Sequence, residues 1–532
     1  MIWLRTLEII ATAAACTLSA LRFLHMLQLE SYQLPGYRRY LNTHVQVQRG
    51  LPLVAGVSCT VAALALSFLF TAFSRGNTPS IFGNIIAIAL MAFFALQIEA
   101  RRKGTKEKKP FAYTQRMKRL IGACFVITLV LSGLLSATHV PPYILLSAVP
   151  WLPILAAAVM QPWENHINNG FFRDAQATLE ARPDLIKIGI TGSFGKTSTK
   201  FTLATILSEK YTVLASPASF NTPMGLTRVI REKLEPQHQV FIAEMGARHR
   251  GDIKELVELV HPKYGLLTSV GAQHLETFGD IETIARTKYE LIEGVEEEKG
   301  TAFFVSDDGI VDSLYAKAHC EKVLVCSQSA KGGCYAKDVE CGPSGSRFTL
   351  VLNNRELPVT TALLGNHNIR NICLACACAA KLGLTDAQIM RGVSKLKSVE
   401  HRLQLLPSSG GITVIDDAFN ANPIGAAEAL RVLGSFPGRH IIVTPGFVEE
   451  GELEKSMNRE LGEQIAEHCD IAILVGKKHT EPIARGAREK GMGENAIYMV
   501  SGLEEAQGIL GTIGMRGDTV LFENDLPDNY NE

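Results

Sequence analysis

A glycine-rich segment ending in Gly195, Lys196 and Thr197 carries the residue types of a phosphate-binding loop. It follows the apolar run 186–190, so a strand would pass through a tight turn into a helix whose first N–H groups face an anionic oxygen. Lys196 would supply a mobile positive charge, and the Thr197 hydroxyl is a suitable ligand for Mg²⁺. A strict loop of this type has a glycine where Ile190 stands. A glycine-rich turn that binds no nucleotide is therefore the alternative.

Two further polar residues follow strand-like segments. The apolar run 240–243 ends at Glu244, and the segment 264–270 leads to His274. In open α/β sheets the carboxyl ends of the strands border the ligand crevice. Either residue alone would usually be solvated surface. Together with Lys196, they predict a site where a metal ion bridges nucleotide phosphates.

The length and charge of the chain limit the possible classes of protein. A chain of 532 residues is too long for one ordinary domain, so two or three folded units are expected. Lys plus Arg and Asp plus Glu both number 53, which gives a formal net charge of zero. We therefore predict no nucleic-acid partner, because such a partner requires a concentration of positive charge.

The first 160 residues are dominated by apolar runs close to the ~20 residues that cross a bilayer. We predict a membrane region over 1–160 with about five transmembrane helices, at 9–21, 51–73, 81–98, 120–137 and 143–160. The first run is short, and a cleaved signal peptide is its alternative. Buried helices of a soluble protein fit several uncharged runs in succession poorly.

The distribution of Lys and Arg between the loops predicts the orientation of this region. The loop 101–118 has eight basic residues and one acidic residue, whereas 137–143 has no Lys or Arg. Five spans then place the N-terminus outside and everything after Met160 in the cytoplasm. We predict a multi-pass protein of the inner (cytoplasmic) membrane, in contact with membrane lipid, whose catalytic domains are cytoplasmic.

The rest of the chain alternates helical and strand-like patterns. Residues 161–182 predict an amphipathic linker helix, either packed or lying on the membrane surface. Near the end, four strands are predicted in a parallel open sheet with intervening helices, one from Gly425 and one from Ser456. These strands are 412–415, 440–443, 471–475 and 519–522. The predicted fold class is thus a multi-pass α-helical membrane region followed by α/β domains.

An ordered set of motifs over roughly 183–530 resembles the Mur ligases. The motifs are Thr191-Gly-Ser-Phe-Gly-Lys-Thr-Ser198, Glu244-Met-Gly-Ala247, His274-Leu-Glu-Thr-Phe-Gly279, Ala285-Arg-Thr-Lys288, Gly365-Asn-His-Asn-Ile-Arg-Asn371, His401-Arg402 and Asp416-Asp-Ala-Phe-Asn-Ala-Asn422. The resemblance implies a central P-loop ATP-binding domain over 183–400. It also implies a C-terminal Rossmann-like domain over 401–532.

The resemblance implies an ATP-dependent ligase that forms an amide bond. Such an enzyme phosphorylates a carboxylate with ATP, and an amine then displaces phosphate from the acyl phosphate. The motifs most resemble the members that add D-Ala-D-Ala to a peptidoglycan precursor. The implied cofactors are ATP and Mg²⁺, and the implied partners are a carboxylate acceptor, UDP-linked or lipid-linked, and an amino acid or dipeptide.

The same resemblance assigns roles to individual residues. The implied ATP-binding residues are Thr191, Gly192, Ser193, Gly195, Lys196, Thr197, Ser198, Asn371, Arg402 and Asp417. The implied metal ligands are Thr197, Glu244, His274 and Lys288, and the implied catalytic residues are Lys196, Lys288 and His274.

Several of these assignments keep alternatives. Lys288 would be carbamylated by CO₂ to give an anionic ligand, and a plain surface lysine is the alternative. Asn371 would read the nucleotide base with Asn368 as support, while His367 is equally a capping or packed residue. Arg402 would reach a phosphate of ATP, and Asp417 would contact the nucleotide when the domains close.

The sequence also departs from the family in two places. Members of the D-Ala-D-Ala type carry a Lys-Gly-Ser turn near the end, where this chain has 522–530. Apolar spans also stand where soluble members have a UDP-sugar-binding domain, which favours an acceptor that is lipid-linked or presented at the bilayer. Two other functions stay open: a ligase for another acceptor, such as one that extends poly-glutamate, and a membrane protein with a nucleotide-sensing module.

Overall fold

The computed structural model divides the chain into two compact units, Met1–Asn169 and Gly170–Glu532. The structure describes residues 2–30, 32–43, 45–73, 79–104, 110–138, 140–217, 220–271, 275–306, 309–326, 331–342, 344–406, 410–418, 423–448 and 453–524.

The first unit is helical. Its helices are α1 (Ile2–Leu29), α2 (Leu34–Thr43), α3 (Val45–Phe73), α4 (Pro79–Gly104), α5 (Gln115–Ala137), a 3₁₀ helix (Pro142–Trp151) and α6 (Leu152–Glu180), which continues into the second unit. Each of the five predicted spans lies within one or two of these helices. By length and composition, three described segments can cross a membrane, and two apolar helices are shorter. The three are Arg5–Leu29, Gln115–Ala137 and Pro142–Glu180, and the shorter two are Gly50–Leu66 and Ile85–Ala100.

The outer surface of this unit is apolar. Large hydrophobic side chains such as Leu64, Phe93, Leu96 and Leu134 are each more than half exposed, although each lies on a long helix. In water, an amphipathic helix would turn such residues inward. Exposed apolar faces of this kind are characteristic of surfaces that contact lipid or another protein.

The second unit contains a nine-stranded sheet of order β2-β3-β1-β4-β5-β6-β7-β8-β9. Its strands are β1 (Ile186–Thr191), β2 (Val213–Ala215), β3 (Val240–Glu244), β4 (Tyr264–Leu267), β5 (Thr301–Val305), β6 (Glu321–Val325), β7 (Cys334–Gly342), β8 (Gly345–Leu352) and β9 (Arg355–Thr361). The strands from β2 to β7 along this order pair in parallel, and β8 and β9 extend the sheet as an antiparallel hairpin. The central strands β1, β3 and β4 end at one edge, which is where the candidate site lies.

Helices cover this sheet. They are α7 (Lys196–Leu207), α8 (Pro223–Lys233), α9 (Asp252–Val260), α10 (Leu275–Phe278), α11 (Ile281–Glu297), α12 (Ile310–Lys317), α13 (Asn366–Lys381) and α14 (Asp386–Ser394). The buried residues form one apolar cluster around Ile188 and Ile190 and another around Phe241 and Ala243. Near-continuous burial of β1 and β3 is typical of parallel strands that have helices on both faces.

A six-stranded sheet follows in the order β10-β11-β15-β12-β13-β14. Its strands are β10 (Gln404–Leu406), β11 (Thr413–Asp417), β12 (His440–Thr444), β13 (Ile471–Val475), β14 (Ile497–Val500) and β15 (Thr519–Glu523). Its helices are α15 (Pro423–Gly434), α16 (Glu454–His468), α17 (Lys477–Glu489), α18 (Leu503–Ile513) and a 3₁₀ turn (Glu494–Ala496). Every pair is parallel except β10 with β11.

The predicted α/β fold class and the four predicted C-terminal strands are confirmed, with two differences. The sequence prediction missed the short strands β10 and β14. It also extended β4 to residue 270, whereas the strand ends at Leu267. The chain leaves the sheet there because Ser269 turns to bind the glycine-rich loop, as described below.

The predicted linker is helical and is continuous with the last apolar segment in α6. Within the second unit, Ala175 and Leu179 are buried among the side chains that pack on β3, as the predicted apolar face requires. Phe171 is 39% exposed, with the guanidinium carbon of Arg231 lying 4.3 Å from its ring centroid. The domain limits at 160, 182 and 400 remain predictions.

Candidate nucleotide and metal site

The glycine-rich segment lies between β1 and α7, as the sequence predicts. Gly195 precedes α7 with a φ of 81°, and Gly192 has a φ of 149°. A Cβ at Gly192 would lie 2.0 Å from Oγ1 of Thr268, so glycine is required there for space as well as conformation. Ser269 fixes the loop: its carbonyl oxygen accepts from Ser193 N at 2.9 Å and its Oγ accepts from Phe194 N at 2.9 Å.

Lys196 folds back over this loop. Its Nζ donates to the carbonyl oxygens of Gly192 at 2.7 Å and Ser193 at 3.0 Å. Burial lowers the pKa of Lys196 to about 8; nearby Glu244 opposes this shift, and the positive charge of Arg402 adds to it. An anionic phosphate in the loop would reverse the effect of burial, because it stabilises the ammonium form.

Glu244, at the end of β3, is the centre of the site. Thr197 Oγ1 lies 3.0 Å from each of its carboxylate oxygens, and Asn221 Nδ2 donates to Oε1 at 3.2 Å. Lys200 Nζ lies 2.9 Å from Oε2, and both charged side chains are almost fully buried. The sequence reasoning missed Lys200 and Asn221. The sequence could have indicated Lys200, because it lies one helical turn after Lys196 on the helix that follows the loop. No sequence pattern marks Asn221.

This arrangement suits a hard divalent cation. Thr197 and Glu244 offer hydroxyl and carboxylate oxygens to one point, and Mg²⁺ prefers oxygen ligands supplied by one or two protein groups, phosphates and water. Among the described residues no cluster of three or more His, Cys, Asp or Glu side chains could hold a metal by itself. His274 lies outside the described residues.

Lys288 is buried in α11, with 2% of its surface exposed. The alternative of a plain surface lysine is therefore wrong. Burial lowers the pKa of Lys288 well below its ordinary value; Lys196 lowers it further, and Asp252 and Glu290 act in the opposite direction.

The start of α13 lies against the same loop. Asn371 is buried, and a Cβ at Gly195 would lie 2.9 Å from its Oδ1, so the two residues are in contact. Asn368 Nδ2 donates to the carbonyl oxygen of Leu364 at 2.9 Å and lines a small pocket together with Ser198. The structure thus places Asn371 at the loop itself, and its predicted role in reading the base remains a prediction.

His367 is a packed residue, which was one of its two alternatives. A Cβ at Gly365 would lie 3.0 Å from His367 Cε1, and the ring Nδ1 has no hydrogen-bond partner among the described residues. Burial lowers its pKa to about 4, and the charges of Arg370 and Arg402 contribute to this shift. The ring is neutral at physiological pH.

The segment before β10 brings a second set of charges to the site. Leu403 N donates to Asp417 Oδ1 at 3.1 Å, and His401 Nδ1 lies 2.7 Å from Asp416 Oδ2. His401 and Leu403 have φ angles of 58° and 43°, in the left-handed region that is costly for such residues. The structure therefore holds a strained connection between the two sheets.

Arg402 lies in this connection, between the left-handed residues His401 and Leu403. Burial lowers its pKa, while Asp417 and Glu244 oppose the shift, so its charge interacts with both sheets. Burial raises the pKa of Asp417 to about 6. The structure therefore brings Lys196, Glu244, Arg402 and Asp417 into one electrostatic network.

Comparison with known proteins identifies the family. The model described as the Mur ligase middle domain matches residues 190–379, and the Mur ligase glutamate ligase domain matches 401–523. The UDP-N-acetylmuramoyl-tripeptide–D-alanyl-D-alanine ligase of Escherichia coli is 30% identical over 305 residues, which are 57% of this chain and 67% of the relative. The chain belongs to the Mur ligase family. The predictions of a Mur ligase and of an ATP-dependent ligase are confirmed.

Other relatives carry the same name. The Bacillus subtilis ligase is 28% identical over 63% of this chain and 72% of its own length. The Mycobacterium bovis ligase is 35% identical over 54% of this chain and 55% of its own length. This Mur ligase therefore spans about half the length of that relative. The crystal structure of MurF ligase from Thermotoga maritima in complex with ADP superimposes with a TM-score of 0.61 and 25% identity, over 67% of this chain and 80% of that one.

Proposed function

We propose that this Mur ligase joins D-Ala-D-Ala to the peptide carboxylate of a muramoyl-tripeptide precursor in peptidoglycan synthesis, with ATP as the energy source. The names of its relatives support this substrate pair. The contact of Thr197 with both oxygens of Glu244, next to the loop that holds Lys196, is the observation that carries the proposal.

The proposed first step is transfer of the γ-phosphate to the acceptor carboxylate. The two reactants are both anionic, so their approach requires positive charge. Lys196 leaves the loop carbonyls to bind phosphate oxygens, and the N–H groups at the start of α7 bind the rest. Thr197 and Glu244 would hold Mg²⁺, which when bound offsets the charge of the phosphates.

Lys288 is proposed to carry a carbamate that forms a further anionic ligand, with His274 as its neighbour. Carbamate formation joins a neutral amine to CO₂ and releases one proton. The burial of Lys288 supports this role, because a buried amine favours the neutral form that attacks CO₂.

Arg402 and Asp417 are proposed to contact the nucleotide when the two sheets close on it. Closure excludes water, which would otherwise hydrolyse an acyl phosphate. The left-handed residues on either side of Arg402 support a hinge at this point. Asn371 is proposed to complete the nucleotide site from α13.

We also propose that the protein is a multi-pass protein of the inner membrane, with the ligase unit in the cytoplasm. The outward apolar side chains of the first unit and its long apolar helices support this location. A membrane-bound ligase gains effective concentration from an acceptor that is confined to the same surface. A lipid-linked precursor is therefore a candidate acceptor beside the soluble UDP-linked one.

The test is ADP release by the purified full-length protein in detergent. We expect release that requires both UDP-N-acetylmuramoyl-tripeptide and D-Ala-D-Ala, and little with glutamate as the amine. Thr197→Val should reduce it by ~10²-fold or more, because the hydroxyl contacts the proposed metal ligand Glu244. Thr512→Val is the matched control, since its exposed hydroxyl donates to the helix carbonyl of Gly508. ADP release that is independent of any amine would contradict the proposal.

The acceptor is tested by comparing full-length protein with a variant that lacks residues 1–160. Each receives the soluble precursor and its lipid-linked form in detergent. We expect the truncated protein to bind ATP normally and to lose most ligation of the lipid-linked form. Equal use of the soluble precursor by both proteins, with no use of the lipid form, would reduce the membrane region to an anchor.

A further inference from the structure

A groove in the first unit lies between α2 and the junction of the 3₁₀ helix with α6. Its volume is about 500 Å³, which is within the range of sites for small ligands. Tyr37 holds α2 in place: its side chain is fully buried, and its hydroxyl donates to the carbonyl oxygen of Pro150 at 2.7 Å. Leu41, one helical turn further along α2, is also buried and lines the groove. The groove is therefore a fixed feature of the packed unit.

The two walls of the groove differ in chemistry. The wall from the 3₁₀ helix and α6 is apolar, and its Trp151 and Leu155 are 44% and 45% exposed. On the α2 wall, Arg38 and Asn42 lie one helical turn apart and both face the groove. A site that is apolar along its length and polar at a few points suits an amphiphilic ligand.

Arg38 gives this groove a positive charge. Its side chain is exposed and forms no salt bridge with any residue that the structure describes. Neither α2 nor the segment 142–158, which together form the walls, contains an Asp or a Glu. A guanidinium beside exposed apolar side chains of a membrane unit is stabilised by an anion, and it binds phosphate through two parallel hydrogen bonds. The partner of Arg38 is therefore an anion from outside the chain.

The position of α2 identifies the side of the membrane on which the groove lies. α2 follows α1, whose segment Arg5–Leu29 can cross a membrane. At the end of that segment, Gln28 exchanges hydrogen bonds of 2.9 and 3.0 Å with the backbone of Ala112. Ala112 belongs to the basic segment 101–118, which is cytoplasmic in the proposed topology. A lipid in the groove therefore has its head group in the compartment of the ligase unit.

We infer that this groove binds a single-chain lipid phosphate, and that this lipid is the carrier of the acceptor. The phosphate binds Arg38 and Asn42, and the chain lies along Trp151 and Leu155. At roughly 30 Å³ for a group of the size of water or a methylene, the groove holds on the order of 15 groups, which is one lipid chain rather than two. The inference rests on the proposed ligase function and deepens it, because it gives the acceptor a binding site for its carrier. Binding of the carrier by the same chain raises the effective concentration of the acceptor peptide.

A two-chain phospholipid of the bilayer is the other source of a lipid phosphate. Such a lipid would occupy the groove without any relation to the acceptor. Two acceptors with the same tripeptide separate these cases, because the UDP-linked precursor has no lipid chain and the lipid-linked precursor has one. Ligation of the UDP-linked precursor reports the ligase unit alone. Ligation of the lipid-linked precursor reports the ligase unit and the groove.

The first test compares Arg38→Gln with wild-type full-length protein in detergent. Arg39→Gln is the matched control, since it removes the same charge from the next position of α2, which does not line the groove. We expect Arg38→Gln to raise the KM for the lipid-linked acceptor about tenfold or more, because a hydrogen bond to a charged group contributes at least that factor. The KM values for the UDP-linked acceptor and for ATP should stay within about twofold of wild type, as should all three values in Arg39→Gln.

Two results of this comparison would overturn the inference. One is an unchanged KM for the lipid-linked acceptor in Arg38→Gln. The other is an equal rise for both acceptors, because Arg38 would then act through the fold of the membrane unit and not through the carrier.

Competition identifies the source of the lipid phosphate. We expect a polyprenyl phosphate that carries no sugar or peptide to inhibit ligation of the lipid-linked acceptor by wild-type protein, and not ligation of the UDP-linked acceptor. Inhibition should be much weaker in Arg38→Gln. Phosphatidylglycerol, an anionic lipid with two chains, is added at the same concentration in a parallel arm. Equal inhibition by phosphatidylglycerol would overturn the inference, since the groove would then hold an ordinary phospholipid of the bilayer.

Ala158→Phe provides a second route if Arg38→Gln fails to fold. Ala158 lines the groove, so a phenyl ring there fills the space of the lipid chain. Val159→Phe is its control, because Val159 is 57% exposed and does not line the groove. We expect Ala158→Phe alone to raise the KM for the lipid-linked acceptor severalfold, and no rise would overturn the inference. If wild-type protein ligates D-Ala-D-Ala to neither acceptor, the proposed ligase function fails; if it uses only the UDP-linked acceptor, the inference alone fails.

Discussion

Replacement of Lys200 by methionine tests the electrostatics of the site. Lys200 and Glu244 form a buried ion pair with Nζ and Oε2 2.9 Å apart, and their side chains are 0% and 2% exposed. Methionine keeps the length and the apolar stem of lysine, so the substitution mainly removes the charge. Among the described residues, Thr197 and Asn221 would still donate hydrogen bonds to the Glu244 carboxylate.

The expected loss of stability follows from two opposing terms. At 2.9 Å the attraction is about 6 kcal/mol for an effective dielectric constant of about 20. Burial lowers the pKa of Lys200 despite this attraction, because the buried ammonium has lost its hydration. Removing the charge also removes this desolvation cost, which offsets part of the lost attraction. Breaking a buried pair by removing one partner typically costs about 3–5 kcal/mol. We expect about 3 kcal/mol, because two neutral donors still contact Glu244.

The assay is hydrogen exchange of the full-length protein in increasing urea, followed by mass spectrometry of peptides from β3 and α7. The midpoint for these peptides should fall in Lys200→Met, whereas the control Lys254→Met, an exposed lysine of α9, should match wild type. Adding Mg²⁺ with ADP should recover part of the loss, since a cation on Glu244 replaces the ammonium. If Lys200→Met and Lys254→Met unfold at the same urea concentration, the argument for a costly unpaired Glu244 is refuted.

Four further outcomes are expected. Lys196→Ala should lower amine-dependent ADP release by ~10²-fold or more while the protein still folds, and activity like wild type would remove the phosphate-loop assignment. Lys288→Ala should be inactive and partly rescued by small carboxylates that occupy the anionic position, whereas full activity in CO₂-depleted buffer would exclude a carbamate. In intact cells, a cysteine introduced near Gly104 should resist a membrane-impermeant thiol reagent and one near Pro141 should react; the reverse labelling would invert the topology. Burial raises the pKa of Glu523 to about 8, above its ordinary 4.5, so the folded state binds this proton more tightly than the unfolded state. The free energy of unfolding should therefore fall as pH rises from about 5 to 8. Glu523→Gln should remove this decline, and identical curves of unfolding free energy against pH for both proteins would contradict the shift.

Local features of the chain were predictable because their signals are contiguous. The strand, turn and helix around Lys196 lie within one short segment, whereas the close approach of Thr268 that requires glycine at Gly192 appears only in the structure. The five apolar runs likewise predicted helices, since hydrophobicity along a run of about 20 residues depends on no distant contact. The parallel C-terminal strands followed from the alternation of apolar runs with helical segments.

The tertiary structure decided which of these residues meet and which are buried. Strand order places β3 beside β1, and only this pairing brings Lys200 and Asn221 to Glu244. The helical periodicity of α11 favoured a surface position for Lys288, but packing against the sheet buried it, because burial depends on what covers a helix face rather than on the residue itself. The crossover that inserts β15 between β11 and β12 sets Glu523 opposite Asp417. The sequence by itself determined the family and the elements of this protein, whereas the charges that face one another across its site come from a register between strands that are distant along the chain.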